Sequence, residues 1–318
     1  MTINIVVITG CLGFCGREVT ETYLNNGHYV YGIDAETYAA DKSLISVWRS
    51  MYPKHFKYIQ SDIATLTHLP DCDYIINLAA ETHVDNSITD SQKFIRSNIL
   101  GVQNLLELVR AKRNYEMPRF IQISTDEVYG SIEGATEHSI LNPSNPYSAS
   151  KASADLLIQS YGKTYDIQYN IVRPSNYYGF WQQSEKLIPK AIKHLILNKK
   201  IPVHSNGEMK RSWVHVSDVT SAISTIIEKG DNNEIYNIGG TLQSINSIIG
   251  DIISYFTGYG YSKYDMNKYC QYQYVRNGLD LIYSVNDEKL RKLGWERYKN
   301  INTDIQSLVE HYEKNIRL

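Results

Sequence analysis

The sequence predicts an α/β fold in which a doubly wound parallel sheet is accompanied by a smaller C-terminal α+β lobe. In the first half of the chain, short apolar runs alternate with longer stretches of helical spacing, a pattern typical of a parallel sheet covered by helices on both faces. The alternation ends near residue 175, and shorter β-like segments follow it. With 318 residues, of which 42% are hydrophobic, the chain is long enough for about two domains with a sizeable core.

The predicted elements follow one another in the order that this fold requires. Short apolar runs predict buried strands at residues 3–9, 29–33, 56–60, 74–78, 120–124 and 169–172. The stretches between them predict helices at residues 14–26, 91–112 and 147–165. In the second half we expect helices at 184–197, 217–229, 287–293 and 303–314, and strands at 201–203, 213–216 and 234–238.

Composition and charge argue against several classes of protein. The net charge of −2 provides no bulk positive field that would draw the chain to nucleic acid or to a membrane surface. The apolar runs are far shorter than the ~20 residues that span a bilayer, and no signal peptide is visible. Four cysteines make no disulfide framework, so a reduced, cytoplasmic setting is expected. The nine histidines form no metal-binding motif, and we expect no metal.

A glycine-rich turn follows the first predicted strand and opens the first helix. Glycines there let the backbone approach a pyrophosphate, which the helix N-terminus then binds. Asp34 ends the second strand, where its carboxylate accepts the ribose hydroxyls and repels a 2′-phosphate, so a Rossmann-type domain that binds NAD rather than NADP is predicted. Asp62 and Ile63 follow the third strand, where they either flank the adenine or simply end the strand. The residues of the turn assigned to the cofactor are Gly10, Gly13, Phe14, Cys15 and Gly16.

Two groups of polar residues predict catalytic chemistry. Tyr147 and Lys151 are four residues apart in a predicted helix, which places the phenol and the ammonium on one face. A nearby cation lowers the pKa of a tyrosine from its usual value of ~10, and the phenolate can then take a proton from a sugar hydroxyl. Thr125, Asp126 and Glu127 leave the carboxyl end of a predicted parallel strand, where open α/β sheets place their ligands. Each group alone is compatible with a solvated surface, but together they predict an active site.

With these motifs, the chain resembles the extended short-chain dehydrogenases/reductases and, within them, the nucleotide-sugar 4,6-dehydratases. The resemblance covers nearly the whole length of the chain, and the Thr-Asp-Glu triplet at residues 125–127 is its most specific part. The other segments that carry the resemblance are residues 10–16, 78–87, 124–130, 145–151, 185–189 and 276–280.

The resemblance implies a three-step reaction with a tightly bound NAD that is regenerated in each turnover. Tyr147, assisted by Lys151 and Thr125, takes the proton of the C4 hydroxyl while the C4 hydride passes to NAD. Glu127 then removes the C5 proton as a base, and Asp126 protonates the departing C6 hydroxyl as an acid. The hydride returns to C6, and the product is a 4-keto-6-deoxy nucleotide sugar.

Two domains are expected to divide this work. Residues 1–175 form the predicted NAD-binding domain, with a return near residues 213–240, and residues 176–212 and 241–318 form the predicted nucleotide-sugar lobe. The resemblance implies further NAD contacts for Leu78, Ala79, Ala80, Ser97, Tyr147 and Lys151. It also implies that Thr82 and Thr125 contact the hexose and that Asn176 contacts the sugar or its phosphates. The residues that it assigns to the base are Lys186, Leu187, Pro202, Val203 and His204. Those that it assigns to the diphosphate or ribose are Arg211, Asn246 and Arg276.

Three short segments bear on the identity of the nucleotide. Residues 82–87, 202–204 and 289–295 look more like the dehydratase domain of eukaryotic UDP-rhamnose synthases than like the bacterial thymidine-diphosphate enzymes. We therefore expect UDP-glucose as the substrate, with dTDP-glucose as the alternative. Tyr177 stands where many family members have asparagine, and Leu279 where they have histidine, so one cofactor contact and one nucleotide contact stay open.

Two other functions compete with dehydration. A UDP-sugar 4-epimerase or decarboxylase on the same scaffold would share the glycine turn and the Tyr147–Lys151 pair, but its reaction needs no acid for a C6 leaving group. A non-catalytic NAD-binding sensor would not need Tyr147, Lys151 and the acid pair together. The resemblance further implies a homodimer that pairs helices 91–112 and 147–165, with no nucleic-acid or membrane partner.

Overall fold

The structure, a computed structural model, describes residues 3–112, 117–258, 263–273, 278 and 280–315. Its main sheet has seven strands, which are β1 (Ile5–Thr9), β2 (Tyr29–Asp34), β3 (Phe56–Gln60), β4 (Tyr74–Asn77), β5 (Arg119–Ile123), β7 (Tyr169–Pro174) and β11 (Glu234–Ile238). All neighbours pair in parallel, in the spatial order β11-β7-β5-β4-β1-β2-β3. The order reverses between β1 and β4, so the fold is a doubly wound Rossmann-type sheet, and the predicted fold class is confirmed.

Helices cover both faces of this sheet and also form part of the second lobe. In chain order they are α1 (Phe14–Asn25), α2 (Ser43–Met51), α3 (Val84–Thr89), α4 (Ser91–Phe94), α5 (Gly101–Arg110), α6 (Pro146–Tyr165), α7 (Leu187–Ile196), α8 (Val216–Lys229), α9 (Ile245–Thr257), α10 (Lys263–Tyr269), α11 (Glu288–Arg291) and α12 (Ile301–Asn315). A 3₁₀ turn covers Asp126–Tyr129.

The helix predicted over residues 91–112 is interrupted, because Ile95–Leu100 forms a π-helical segment between α4 and α5. This wider turn carries Asn98, which is 1% exposed. The Asn98 amide donates to the backbone oxygen of Glu81 at 3.0 Å and to the hydroxyl of Ser150 at 2.8 Å. The π segment therefore ties the loop after β4 to α6, and π turns of this kind are frequent near functional sites.

The core lies on both faces of the main sheet, since successive residues of a strand point to opposite sides. Val6 and Ile8 pack into a cluster with α1 and α8, whereas Val7 packs into a second cluster with α5 and α6. All three side chains are fully buried, and burial of each contributes roughly 1.5–3 kcal/mol to stability. The sheet is thus held rigidly, and the residues at its strand ends are fixed with it.

Shorter strands build the second lobe. They are β6 (Ile132–Ala135), β8 (Asn176–Tyr178), β9 (Ile201–His204), β10 (Lys210–His215), β12 (Thr241–Ser244), β13 (Cys270–Gln273) and β14 (Ile282–Val285). One sheet has the order β12-β10-β14-β6, with β8 also paired to β10, and β9 pairs with β13. The segment β11 returns to the main sheet beside β7. The domain boundaries given above stay a prediction.

None of the helices in the described part of the chain combines the length and the apolar character needed to cross a bilayer.

Candidate active site

The turn between β1 and α1 has the backbone of a phosphate-binding site. Gly10 has a φ of 66°, and a Cβ there would lie 2.8 Å from the backbone of Ala79, so a side chain would collide with the strand end beside it. Gly13 is the N-cap of α1, and none of the described side chains caps this end. The helix N-terminus is therefore left to bind an anion through its backbone and its dipole.

A small cavity of about 100 Å³ continues from this turn past the end of β2. Asp34 is 7% exposed, and its carboxylate accepts from the backbone N–H groups of Leu12 at 3.0 Å and Glu36 at 2.8 Å. Burial raises the pKa of Asp34, and these two hydrogen bonds partly offset the rise. Asp62 also borders the cavity and accepts from Arg96 at 3.0 and 3.1 Å. The predicted cofactor residues that line this cavity are Gly10, Gly13, Asp34, Asp62, Ile63, Leu78, Ala79, Ala80 and Ser97.

A second cavity, of about 270 Å³, adjoins the first at the glycine turn and contains the predicted catalytic group. The structure brings together predicted residues from six separate parts of the chain in this space. Predicted residues that line it are Gly10, Gly13, Phe14, Cys15, Gly16, Leu78, Ala80, Thr82, Thr125, Asp126, Glu127, Tyr147, Lys151, Asn176, Lys186 and Leu187.

Helix α6 fixes the Tyr147–Lys151 pair. Asn145 caps the helix by a capping box with Ser148, so Tyr147 lies in a well-ordered first turn. The Lys151 ammonium donates to the backbone oxygen of Ile123, at the end of β5, at 2.6 Å. The pair is thus held against the strand that leads to Thr125.

The expected lowering of the Tyr147 pKa is not seen. Burial raises this pKa above its usual value, Glu127 and Asp126 raise it further, and hydrogen bonding with Thr125 partly offsets the rise. Burial also lowers the pKa of Lys151 to about 8, with Asp155 opposing the shift. Burial together with the carboxyls of Glu127, Asp126 and Asp155 therefore raises the pKa of Tyr147 and favours its neutral phenol.

The two carboxyls follow β5 on the 3₁₀ turn, whose N-cap is Thr125 with its hydroxyl accepting from the N–H of Glu127 at 3.3 Å. Asp126 is 3% exposed, and its Oδ2 has no hydrogen-bond partner among the described residues. Burial and the charge of Glu127 raise the pKa of Asp126 to about 7, while Ser175, Arg211 and Thr125 act in the opposite direction. Asp126 therefore holds its proton up to neutral pH, which suits a general acid.

A buried polar network underlies this site and was not predicted from the sequence. Asp155, one turn after Lys151, accepts from Arg173 at 2.9 Å and from Ser124 at 3.0 Å. Arg173 also donates to the hydroxyl of Tyr129 at 2.8 Å, which in turn donates to Asn237 at 2.8 Å. Each of these residues is at most 5% exposed. The available signals were the acid four residues after Lys151 and the arginine within an apolar strand.

Several predicted substrate residues meet at the catalytic end of the larger cavity. The Lys186 ammonium lies 3.4 and 3.5 Å from the backbone and side-chain oxygens of Thr82. Its pKa is lowered by burial and raised again by Glu185, Glu127 and Asp85. Lys186 therefore lines the cavity that contains Glu127, and none of residues 202–204, with which it was grouped, lines it. Asn176 presents a buried side-chain oxygen that has no partner among the described residues.

The other predicted substrate residues in the described part of the chain are not among those that line this cavity. Val203 is 1% exposed and packs in the core of the second lobe, so its side chain cannot line a base pocket and only its backbone is available. Pro202 and His204 flank it on β9 with partial exposure. The Asn246 amide donates to the backbone oxygen of Asn206 and to Glu208, at 2.8 Å each.

Arg211 is held on β10 and turned toward β14. Its guanidinium stacks 4.3 Å from the ring centre of Tyr283 and donates to the backbone oxygen of Asp280 at 2.9 Å. Arg276, the third residue assigned to the diphosphate or ribose, lies outside the described residues.

Eleven further residues line the larger cavity without having been predicted as site residues. They lie on strands as well as in loops, and the packing of the two lobes brings them to one space. These residues are Tyr38, Ala39, Ile123, Ser124, Pro174, Ser175, Tyr177, Gln182, Gln183, Glu185 and Trp213. Among the described residues, no group of three His, Cys, Asp or Glu side chains is placed to hold a metal ion.

Comparison with known proteins identifies the family. A profile of the NAD dependent epimerase/dehydratase family matches residues 6–239, which is more than half of the chain. The chain belongs to the NAD-dependent epimerase/dehydratase family. The low-salt glycan biosynthesis protein Agl12 of Haloferax volcanii is 35% identical over 316 residues, covering 96% of this chain and 98% of that protein.

Two further members of the family are informative. A trifunctional UDP-glucose 4,6-dehydratase/UDP-4-keto-6-deoxy-D-glucose 3,5-epimerase/UDP-4-keto-L-rhamnose-reductase of Arabidopsis thaliana is 34% identical, covering 98% of this chain but 47% of the plant protein. The chain thus spans about half the length of that protein. The crystal structure of the dTDP-glucose 4,6-dehydratase DesIV of Streptomyces venezuelae, with NAD and TYD bound, has a TM-score of 0.88 at 30% identity, covering 98% of this chain and 97% of that one.

These findings confirm three of the predictions made from the sequence. The resemblance to the nucleotide-sugar 4,6-dehydratases is confirmed, the protein is an enzyme of this kind, and NAD is its cofactor. The residues present fit that cofactor. A side chain at Gly10 would collide with the backbone of Ala79, so the turn stays free of side chains there and a ligand can approach its backbone closely. The buried Asp34 carboxylate ends the neighbouring strand.

Proposed function

We propose that the protein converts UDP-glucose to UDP-4-keto-6-deoxyglucose, the first step toward UDP-rhamnose or another 6-deoxy sugar, with dTDP-glucose as the alternative substrate. The observation that carries the proposal is the pair of adjacent carboxyls, one with a pKa raised to about 7, in the same cavity as Tyr147 and Lys151. An acid that is still protonated at neutral pH is what expulsion of a C6 hydroxyl as water requires.

The cofactor would lie along the two adjoining cavities. The backbone of residues 10–16 would hold its pyrophosphate and Asp34 its adenosine ribose. When bound, NAD supplies a reversible hydride acceptor and, in its oxidised form, a positive charge close to the substrate. Tyr147 is the group that moves the proton of the C4 hydroxyl, with Thr125 completing the hydrogen bond to that oxygen.

Lys151 prepares Tyr147 for this role. Its ammonium is held by the oxygen of Ile123 and, with a pKa of about 8, is mostly protonated at neutral pH. Because burial and Glu127 hold the Tyr147 phenol neutral, the positive charges of Lys151 and of the oxidised cofactor are needed together to release its proton. Tyr147 then acts as a base only when the site is fully assembled.

Glu127 and Asp126 carry out the elimination. A ketone at C4 acidifies the C5 proton, and Glu127 accepts that proton. Asp126 donates its proton to the C6 hydroxyl, so one water leaves and a C5–C6 double bond forms. The unequal surroundings of the two carboxyls, with Asp126 buried and Glu127 partly exposed, keep one as acid and the other as base at the same pH.

The relatives support both nucleotides. The trifunctional plant enzyme is named for UDP-glucose, and the Streptomyces enzyme is named for dTDP-glucose, at nearly equal identity to this chain. The resemblance of residues 82–87, 202–204 and 289–295 to the eukaryotic UDP-rhamnose synthases favours UDP-glucose.

Incubation of the purified protein with each sugar nucleotide separately tests the proposal. We expect a product one water lighter than UDP-glucose, a new C6 methyl signal in the proton NMR spectrum, and no net consumption of NAD. Formation of UDP-galactose would show a 4-epimerase instead, and NAD-loaded protein that turns over neither nucleotide would show a sensor. Clear preference for dTDP-glucose would overturn the choice of nucleotide but leave the reaction standing.

We further propose that the protein is a cytoplasmic homodimer paired through the π segment, α5 and α6. Ile95, Leu100 and Leu156 are 47%, 48% and 58% exposed on these helices, so apolar surface lies on the elements expected to form a four-helix interface. Light scattering should give twice the chain mass of 36.5 kDa. A mass of one chain at micromolar concentration would refute the dimer.

A further inference from the structure

A loop on the outer side of the cofactor cleft is fixed by hydrogen bonds and ring contacts, although part of it is exposed. Residues 179–184, here called the strap, connect β8 to the segment before α7. The strap lies between the 270 Å³ cavity and an open groove of about 780 Å³, and Gln182 and Gln183 line both. Gly13 of the phosphate-binding turn also borders both spaces, so the strap passes directly outside that turn.

The C-terminal helix α12 anchors the strap. The buried Tyr312 hydroxyl donates to the backbone oxygen of Gly179 at 2.9 Å and accepts from the N–H of Gln182 at 2.9 Å. His311 stacks on Phe180, with ring centres 4.5 Å apart and planes 26° apart. Gly179, Phe180 and Gln182 of the strap are therefore held by two adjacent residues of one helix.

A second set of contacts holds Trp181 against α1. The guanidinium of Arg17 lies 4.9 Å from the centre of the Trp181 ring, and His311 meets the same ring edge-on at 4.5 Å. Trp181 has a φ of 66°, in the left-handed region that a bulky residue rarely adopts. Such a conformation persists only where surrounding contacts impose it, and it concentrates at ligand clamps and functional sites.

The strap closes on the loop that follows β2. The Gln183 side-chain amide donates to the backbone oxygen of Ala39 at 3.2 Å. That loop is itself fixed, since the N–H of Asp41 donates to the oxygen of Leu12 at 3.0 Å and Glu36 pairs with Lys42 at 2.8 Å. Two anchored loops thus meet above the turn that binds the pyrophosphate.

We propose that the strap, closed through Gln183 on Ala39, keeps NAD bound between turnovers. This inference rests on the proposed function, because a dehydratase that returns its hydride to the substrate has no need to exchange its cofactor. The hydrogen bond from Gln183 to Ala39 is the contact that closes the strap. Trp181 keeps the strap in the backbone conformation that allows this hydrogen bond. A dinucleotide under this bridge cannot leave sideways through the large groove until the bridge opens.

Release of NAD from the loaded protein, measured without any nucleotide sugar, tests the proposal. Released NAD is captured by alcohol dehydrogenase with excess ethanol and followed by the near-ultraviolet absorbance of the NADH formed. We expect Gln183→Ala to release NAD about 3- to 10-fold faster than the unmodified protein, the factor that loss of one neutral hydrogen bond gives. Trp181→Ala should speed release by at least about tenfold, since it frees the whole strap.

Gln306→Ala is the matched control, because this glutamine of α12 contacts Glu310 at 3.0 Å on the exposed face and should leave release unchanged. Equal release from the Gln183→Ala variant and the unmodified protein would overturn the proposal, as would NAD that exchanges from the unmodified protein faster than product forms. Fast release from the variants together with no dehydration by any form would sink the proposed function and leave the strap standing.

Discussion

At the level of single residues, Asp126 and Glu127 carry the same functional group, a carboxyl, but lie in different environments. Asp126 points into the protein, where burial and the neighbouring charge of Glu127 raise its pKa to about 7. Glu127 remains partly exposed at the wall of the cavity. Two carboxyls one residue apart can therefore divide acid and base roles, because the protein desolvates only one of them.

Asp126→Asn should separate the first chemical step from the second. The asparagine keeps the shape of the side chain but has no proton to donate to the C6 hydroxyl. We expect dehydration to slow by about 10²- to 10⁴-fold while oxidation at C4 continues, so that reduced nicotinamide accumulates. Stopped-flow absorbance of reduced nicotinamide together with product NMR measures both steps. A variant that dehydrates at the normal rate would remove Asp126 from the mechanism.

The same substitution has a predicted effect on stability, with a defined sign. Because the pKa of Asp126 is about 7 in the folded protein, against an ordinary value of 3.8 for aspartate, the folded state binds this proton more tightly than the unfolded chain. Its favourable contribution is present at low pH and is lost as the pH rises toward the folded value. Asp126→Asn should therefore be more stable than the unmodified protein by about 2–4 kcal/mol near pH 8, with little difference near pH 4. Urea unfolding at both pH values checks this, and a gain independent of pH would contradict it.

At the level of elements, the site depends on how three strand ends and one helix are joined beneath it. Asp155 of α6 and Arg173 of β7 form a fully buried ion pair, and Arg173 reaches Tyr129 in the turn that carries the two acids. Lys151, one helical turn from Asp155, interacts with that carboxyl and donates to the oxygen of Ile123 at the end of β5. The network therefore links the helix with the phenol to the turn with the carboxyls.

Asp155→Asn should cost about 3–5 kcal/mol of stability, because it leaves the Arg173 charge buried without a counter-charge. Ser124→Ala, which removes only a neutral donor to the same carboxylate, should cost about 1 kcal/mol. The double variant Asp155→Asn/Arg173→Met should recover part of the loss, since no charge is left unpaired. Denaturant unfolding of the three variants measures these differences, and equal losses for the two single variants would contradict the account.

The elements differ in how well the sequence predicts them, for a physical reason. β1 and β4 fall within the apolar runs that predict them, because buried parallel strands need continuous apolar residues. β6 and β12, with the sequences IEGA and TLQS, carry no such signal, and they exist through pairing with distant strands. The π segment at Ile95–Leu100 was missed for a related reason, since Asn98 is drawn inward by Glu81 and Ser150.

The residues of the candidate site also differ in how well the sequence predicts them. The glycine turn, the 125–127 triplet and the Tyr147–Lys151 pair are local motifs, so the sequence predicts them and the structure brings them to adjoining cavities. Ser175 and Gln183 reach the site only through the packing of the second lobe, and no spacing in the sequence marks them. Tyr177 was marked only as a departure from the asparagine of many family members. The raised pKa of Tyr147 could not be predicted from the sequence either, because it depends on burial and on carboxyls that the fold brings near the phenol.

At the level of the whole molecule, the proposed dimer makes a surface prediction. Leu156 is 58% exposed on α6, pointing away from the buried face that carries Lys151 and Asp155. Leu156→Glu should shift the protein from twice the chain mass toward one chain mass in light scattering, because a charge placed in an apolar interface is left without a partner. Val47→Glu, at a residue 44% exposed on α2, is the control and should leave the mass unchanged. The same mass for both variants would argue against pairing through α6.

The whole molecule also explains why one cofactor can serve many turnovers. The two cavities adjoin at Gly13, the strap closes their outer side, and the acid pair faces the same space as Tyr147. Under the proposed function, this arrangement keeps the hydride and the protons of one sugar within the space of the two adjoining cavities.

The most direct test of the account follows deuterium from C4 of the sugar. UDP-glucose labelled with deuterium at C4, and dTDP-glucose labelled in the same way, are incubated with the NAD-loaded protein in ordinary water. The account predicts that the label appears on the C6 methyl of the 4-keto product, with hydrogen from solvent at C5. Label that remains at C4 of an intact sugar, or that is lost to solvent or to added NAD, would contradict it.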